Sequence, residues 1–330
     1  MIIVQFLAIL PALLSYLLPR DHASEKLPLA QWPSEFNTPN SPSRCLSYNP
    51  RTHTDSIQYA LTAGCTGAKA DLWLHGSDLL VGSSFANLDG KYTLQSLYLD
   101  PLLANLEAKR GAAGTDGLFD DSAQSFVLLL ELKTSRHAAL SHLTSQLDGL
   151  RQKGYLTRMK GSQVIPGPVT VVMTGQDLNL VDRPFYEEIF FDASLDELTL
   201  EDYEQPWKLS SRVSSAFNGA RAPSQDTQKE LSRTSTSAIY TVTANFPASI
   251  GYPRRGRLSP QQIALIRAQI SAAHRRGIRV RYEGIPAGRG RLSEYLWRVV
   301  AHEGADVVDV DWQASYQQAW WQRWILYRPT

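Results

Sequence analysis

Residues 126–132 read FVLLLEL, a run of apolar side chains interrupted once, by Glu131. A strand covered on both faces reads this way, whereas a half-exposed strand alternates between apolar and polar residues. Seven further short runs rich in apolar or β-branched residues occur at 44–47, 68–74, 169–173, 189–192, 239–243, 278–282 and 307–311. Segments with helical spacing lie between several of them, at 55–63, 136–153, 259–276 and 293–302. The third of these opens on Ser259-Pro260, an N-cap with proline at the first helical position, and stops at Gly277. Eight strands alternating with helices predict an α/β chain folded as a closed parallel barrel of the (β/α)8 TIM type. An open doubly wound sheet is the competing arrangement. A glycine-rich phosphate loop after an early strand would favour it, and neither a G-x-G-x-x-G nor a Walker pattern is present.

The 330 residues, 43% of them apolar, suffice for one barrel domain, expected over 44–330. Lys and Arg number 33 against 32 Asp and Glu, for a net charge of +1, so no broad field exists to attract nucleic acid or an anionic membrane. Residues 1–18 are uncharged and apolar, which reads as a signal peptide or membrane anchor, with a buried core helix as the third possibility. The expected location is therefore the secretory pathway, secreted or membrane-anchored, with any membrane association made through this segment if it stays uncleaved. Residues 19–43 are a linker rich in Pro and Ser, and the Ser-rich stretch 210–237 reads as a surface insertion. The two cysteines, Cys45 and Cys65, could be bridged in an exported chain or could be two small buried residues, and no Cys/His spacing suggests a zinc site.

In such a barrel the site lies at the C-terminal ends of the strands. The polar residues there are Asn49, the pair Lys69 and Asp71, the pair Glu131 and Lys133, and the pair Asp309 and Asp311. Residues two apart on a strand share a face, and charges inside strands are costly unless paired or metal-bound.

The stretch SYNPRTHTDSIQYALTAGCTGAKADLWLHGSDLLVGSS at 47–84, with LQSLYLDPLLANLE at 94–107 and FVLLLELKT at 126–134, resembles the fungal Altered inheritance of mitochondria protein 6 family. That family falls within the phospholipase-C-like and glycerophosphodiester phosphodiesterase superfamily. Weaker echoes in VTVVMTGQ, EEIFFDASL, GIRVRYEGIP and GADVVDVDWQ extend the likeness over roughly 44–315. The resemblance implies a phosphodiesterase barrel that hydrolyses lipid or glycerol-type phosphoric diesters. Two histidines would move protons, and carboxylates would hold one divalent cation, Mg²⁺ or Ca²⁺.

At the family's two histidine positions this chain has Tyr48 and Ser83, and at one metal carboxylate it has Lys69. Asn49, Asp71, Glu131 and Lys133 are kept, leaving Asp71 and Glu131 as the remaining metal ligands. A lysine ammonium ~5 Å from a divalent ion would repel it by roughly 6 kcal/mol at an effective dielectric near 20. The expectation is that Lys69 takes the cation's place between Asp71 and Glu131, and that catalysis is impaired or lost. The alternatives are a non-catalytic protein whose Lys69 and Lys133 hold a phosphate-bearing ligand or partner, and a purely structural barrel. His53 and His75 lie near the mouth and could stand in for the missing pair. His137, His142, His274 and His302 fall in helical patterns, and Trp320, Trp321 and Trp324 suit a final helix packed on the barrel or contacting lipid headgroups.

Overall fold

The computed structural model describes residues 43–48, 56–62, 64–114, 117–121, 123–134, 136–161, 163–175, 186–195, 238–254, 256–275, 277–285 and 291–311. Eight parallel strands form a closed ring: β1 (Ser43–Tyr48), β2 (Cys65–His75), β4 (Phe126–Leu132), β7 (Val169–Thr174), β8 (Ile189–Ser194), β9 (Ile239–Asn245), β10 (Arg279–Glu283) and β11 (Val307–Asp311). β11 pairs with β1, and β1 with β2, so the sheet has no open seam. The expected barrel is therefore present, and each strand read from the sequence is one of its staves.

β2 extends beyond the ring. Its last four residues pair with antiparallel β3 (Asp78–Val81), from Leu72 opposite Val81 to His75 opposite Asp78, across a turn in which Gly76 has φ 63°. A second hairpin, β5 (Arg158–Lys160) with β6 (Gln163–Ile165), precedes β7. At Gly67 a Cβ would lie 2.2 Å from the Val127 carbonyl oxygen, so β2 and β4 can approach this closely only because the position is glycine.

Helices α1 (Ser56–Thr62), α3 (Arg136–Gln146), α4 (Asp148–Gln152), α6 (Pro260–His274) and α7 (Arg291–His302) occupy the segments with helical spacing. The single helix expected over 136–153 is two helices, separated at Leu147. α6 starts on a reciprocal capping box, with Ser259 Oγ accepting from the Gln262 amide and the Gln262 side chain accepting from the Ser259 amide. α2 (Asp100–Ala113) follows a π-helical turn, Gln95–Leu99. Its Pro101 sits in the first turn, where a missing N–H costs nothing, rather than breaking the helix. The short α5 (Phe246–Ser249) is capped by Asn245.

Cys45 and Cys65 are bonded to each other and buried, joining β1 to β2. The leader, the 210–237 stretch and the linker up to residue 42 lie outside the described residues, while Ser43, expected in the linker, begins β1. No described helix is long and apolar enough to cross a membrane.

Candidate functional site

Strand register assembles the site. Tyr48 on β1 lies opposite Lys69 on β2, and Asp71 on β2 lies opposite Glu131 on β4. Lys69 and Asp71 are both buried, and Lys133 follows directly on β4, its amide donating to the Leu72 carbonyl at 2.9 Å. Alternation paired these residues two by two, the resemblance set Lys69 between Asp71 and Glu131, and the structure brings Lys69, Asp71, Glu131 and Lys133 together with Tyr48.

The Lys69 ammonium is 2.7 Å from Glu131 Oε2 and 4.0 Å from Asp71 Oδ1. It also lies 4.8 Å from the centre of the Tyr48 ring, within cation–π range. The Tyr48 hydroxyl donates to Asp71 Oδ2 at 2.6 Å. Lys133 Nζ bonds Glu131 Oε1 and is 3.9 Å from Asp71 Oδ2. Asp71 Oδ1 is buried and accepts no hydrogen bond from any described residue.

These contacts set the protonation states. Burial pushes the Glu131 carboxyl up, but the Lys69 charge and hydrogen bonds from both lysines outweigh it and hold the group at about 2. Burial wins at Asp71 and raises it, despite the Tyr48 hydrogen bond and the Lys69 charge. For Lys69 burial works against the charged form, yet the carboxylates of Asp309 and Glu131 raise it overall while Arg281 opposes them. The Tyr48 hydroxyl is raised by burial first and then by the Asp71 charge, so it keeps its proton at neutral pH.

Beside this group is a second one that reading the sequence missed. Arg281 on β10 is only 1% exposed, and its guanidinium makes a two-pronged bond to Asp309, at 2.8 Å on each oxygen. It also donates to Asp192 at 2.8 Å, Thr243 at 2.8 Å and Glu283 at 3.0 Å. Thr241 and Thr243 donate to Asp192 as well. The signal was available in RVRYE, where Arg279, Arg281 and Glu283 alternate with Val280 and Tyr282. In a barrel whose outer wall is covered by helices, the polar side of such a strand faces inward.

Ser83 is exposed, and nothing among the described residues hydrogen-bonds its hydroxyl, although the Gly82 amide before it donates to the Asp71 carbonyl at 3.1 Å. Asn49, His53, the three tryptophans and the side chains of His137 and Asp311 lie outside the described residues. His75 is exposed at the β2–β3 hairpin and joins neither charged group. His274 bonds Asp306 at 2.6 Å and His302 is 3.7 Å from Glu303, both remote from the lysines along the fold.

An AIM6-like phosphodiesterase domain matches residues 34–192, the span from before β1 into β8 that carries Tyr48, Lys69, Asp71, Ser83, Glu131 and Lys133. Over this span, 159 of its 330 residues, the chain is similar to the AIM6-like phosphodiesterase family. Over 269 residues it is 29% identical to an Altered inheritance of mitochondria protein 6 homolog of Arthroderma benhamiae, covering 78% of this chain and 75% of that protein. Over 315 residues it is 25% identical to Altered inheritance of mitochondria protein 6 of Saccharomyces cerevisiae, covering 90% and 75%. The protein of that name from Eremothecium gossypii is 25% identical over 289 residues, covering 81% and 67%.

The divalent cation that this family resemblance implies does not fit the residues present. Asp71 and Glu131 are the carboxylates left to ligate it, and the Lys69 ammonium stands between them at ion-pair distance. Among the described residues no group of three His, Cys, Asp or Glu side chains is placed to hold a metal ion.

Proposed function

We propose that this phosphodiesterase-family barrel has lost metal-dependent hydrolysis of phosphoric diesters, and that Lys69 serves as a built-in counter-ion where a metal would otherwise sit. The observation that carries the reading is the Lys69 ammonium at 2.7 Å from Glu131 and 4.0 Å from Asp71. Nearby, Tyr48 holds its proton against Asp71, and Ser83 offers a hydroxyl with no base beside it. Loss of a positioned acid or base costs roughly 10²–10⁴-fold in rate, and two are replaced here.

A competing reading has Lys69 and Lys133 hold a phosphate-bearing or lipid-derived ligand without turnover. Both ammonium groups are already engaged by Glu131, and Asp71, Asp192, Glu283 and Asp309 add further negative charge to the barrel interior. That balance favours the internal counter-ion over an anion site. The apolar leader and the Cys45–Cys65 bond support a place in the secretory pathway, because disulfides persist in oxidising compartments.

The test is hydrolysis of a panel of glycerophosphodiesters and phosphoinositides with added Mg²⁺ or Ca²⁺. The wild-type chain is run beside a variant carrying Tyr48→His, Lys69→Glu and Ser83→His. The expected result is turnover in the triple variant alone. Wild-type turnover that Asp71→Ala abolishes overturns the proposal.

A further inference from the structure

At the opposite end of the barrel from Lys69 and Asp71, the N-terminal ends of the strands surround a pit of about 600 Å³. Its wall includes Val127, Thr170, Ile239, Arg279 and Val307, each at or next to the first residue of its strand. Tyr48, Lys69, Asp71, Ser83, Glu131 and Lys133 do not line it. In barrels of this type the N-terminal face usually serves stability and the interior is filled by layers of side chains. A pit of this volume falls within the range of small-molecule pockets.

The pit has two chemically distinct walls. On the β9–β10 side, the Arg279 guanidinium lies 4.5 Å above the Tyr240 ring, which also packs edge-on against Phe190 at 6.3 Å. Arg279 is exposed and makes no ion pair with a described residue; the carboxylate on the same wall, Asp306, is engaged by His274 at 2.6 Å and by the Val280 amide at 2.9 Å. The Arg279 cation is thus held in position by an aromatic face while its five N–H donors remain available, an arrangement suited to anion oxygens.

On the β4–β7 side is a chain of hydroxyls: Ser125 to Thr170 at 2.7 Å, and Thr170 to Thr157 at 2.8 Å. The Thr157 hydroxyl accepts from the Gly167 amide at 3.0 Å and lies 3.2 Å from the Gly167 carbonyl. Either hydroxyl of each pair can be the donor, so Ser125, at the end of the chain, can present a donor or an acceptor to the pit.

We propose that the pit binds a small hydroxylated anion, with its charged group on Arg279 and a hydroxyl hydrogen-bonded to Ser125. The two walls define this shared chemistry, which a polyol phosphate and a sugar acid both possess. The inference does not depend on how the mouth of the barrel is read.

Isothermal titration of the full chain with glycerol 3-phosphate and, separately, with gluconate tests it and distinguishes the two sources. At least one is expected to bind with a Kd of about 1 mM or tighter. Arg279→Gln should weaken that binding by about tenfold or more, and Ser125→Ala by a smaller factor. Lys133→Gln, at the other end, should leave it unchanged. Both substitutions in the pit fall on side chains that are not fully buried, and circular dichroism checks that each variant is folded. Failure of both probes to bind at about 10 mM overturns the proposal, as does binding that ignores Arg279→Gln or is lost in Lys133→Gln.

Discussion

The Tyr48 hydroxyl donates to the Asp71 carboxylate across the β1–β2 interface, at 2.6 Å. A tyrosine at the position where family resemblance expects a histidine thus has a structural role. It satisfies one oxygen of a buried acid whose other oxygen has no donor among the described residues. Tyr48→Phe should therefore leave both oxygens without a hydrogen bond and destabilise the fold by about 1–3 kcal/mol, read from urea unfolding. Asp71→Asn, which keeps the acceptor and removes a charge that burial disfavours, should cost less than Tyr48→Phe.

Removing the Lys69 ammonium leaves Glu131 and Asp71 facing one another with Lys133 as the nearest remaining cation. Lys69→Met should lower unfolding free energy by about 3–5 kcal/mol, the usual consequence of stranding one side of a buried ion pair. The double variant Lys69→Met with Glu131→Leu should recover much of that loss, since an apolar replacement of both partners strands nothing.

Acid should weaken the same group in a defined window. Glu131 is held at about 2 against an ordinary 4.5, so its ionised form favours the folded state. That stabilisation is complete above the ordinary value and is lost as pH falls from about 4.5 towards 2, by up to about 3 kcal/mol. Asp71 has the opposite sign: its raised carboxyl favours the folded state when protonated, so acid restores part of what Glu131 loses. Denaturant unfolding at pH 5 and about pH 3 should show a shallower acid loss in Glu131→Gln than in wild type.

The disulfide closes a sequence separation of 20 residues between buried positions on neighbouring strands. Loop-closure entropy for that length corresponds to about 3 kcal/mol. The Cys45→Ser, Cys65→Ser pair should lose roughly that much stability in urea unfolding, and thiol labelling of the denatured, unreduced wild-type chain should find no free cysteine.

Most of the ring was legible because each stave carries its own signal, from FVLLLEL to VVDVD. β3 was not, since DLLV is four residues long and only its turn at Gly76 marks it as a partner for the end of β2. α2 was obscured by Pro101, whose effect depends on a helix start that the sequence does not flag. In the candidate site, Lys69, Asp71, Glu131 and Lys133 stood out as charges in otherwise buried strands. Arg281 and Asp192 escaped notice because pairing across β8, β9 and β10 is a property of the closed ring, joining residues 89 positions apart. Asp309 was singled out as a strand-end acid, and its role as the two-pronged partner of Arg281 became visible only in three dimensions.

The mutual neutralisation of Lys69, Glu131, Asp71 and Lys133 also limits which substitutions the site accepts one at a time. Lys69→Glu alone would crowd three acids around one remaining lysine, while Tyr48→His alone would meet an acid already committed to Lys69. Each single step towards a metal site is unfavourable until the others are taken. The ion cage therefore acts as a lock: loops and surface can vary around it, while a metal could enter between Asp71 and Glu131 only after several coordinated substitutions.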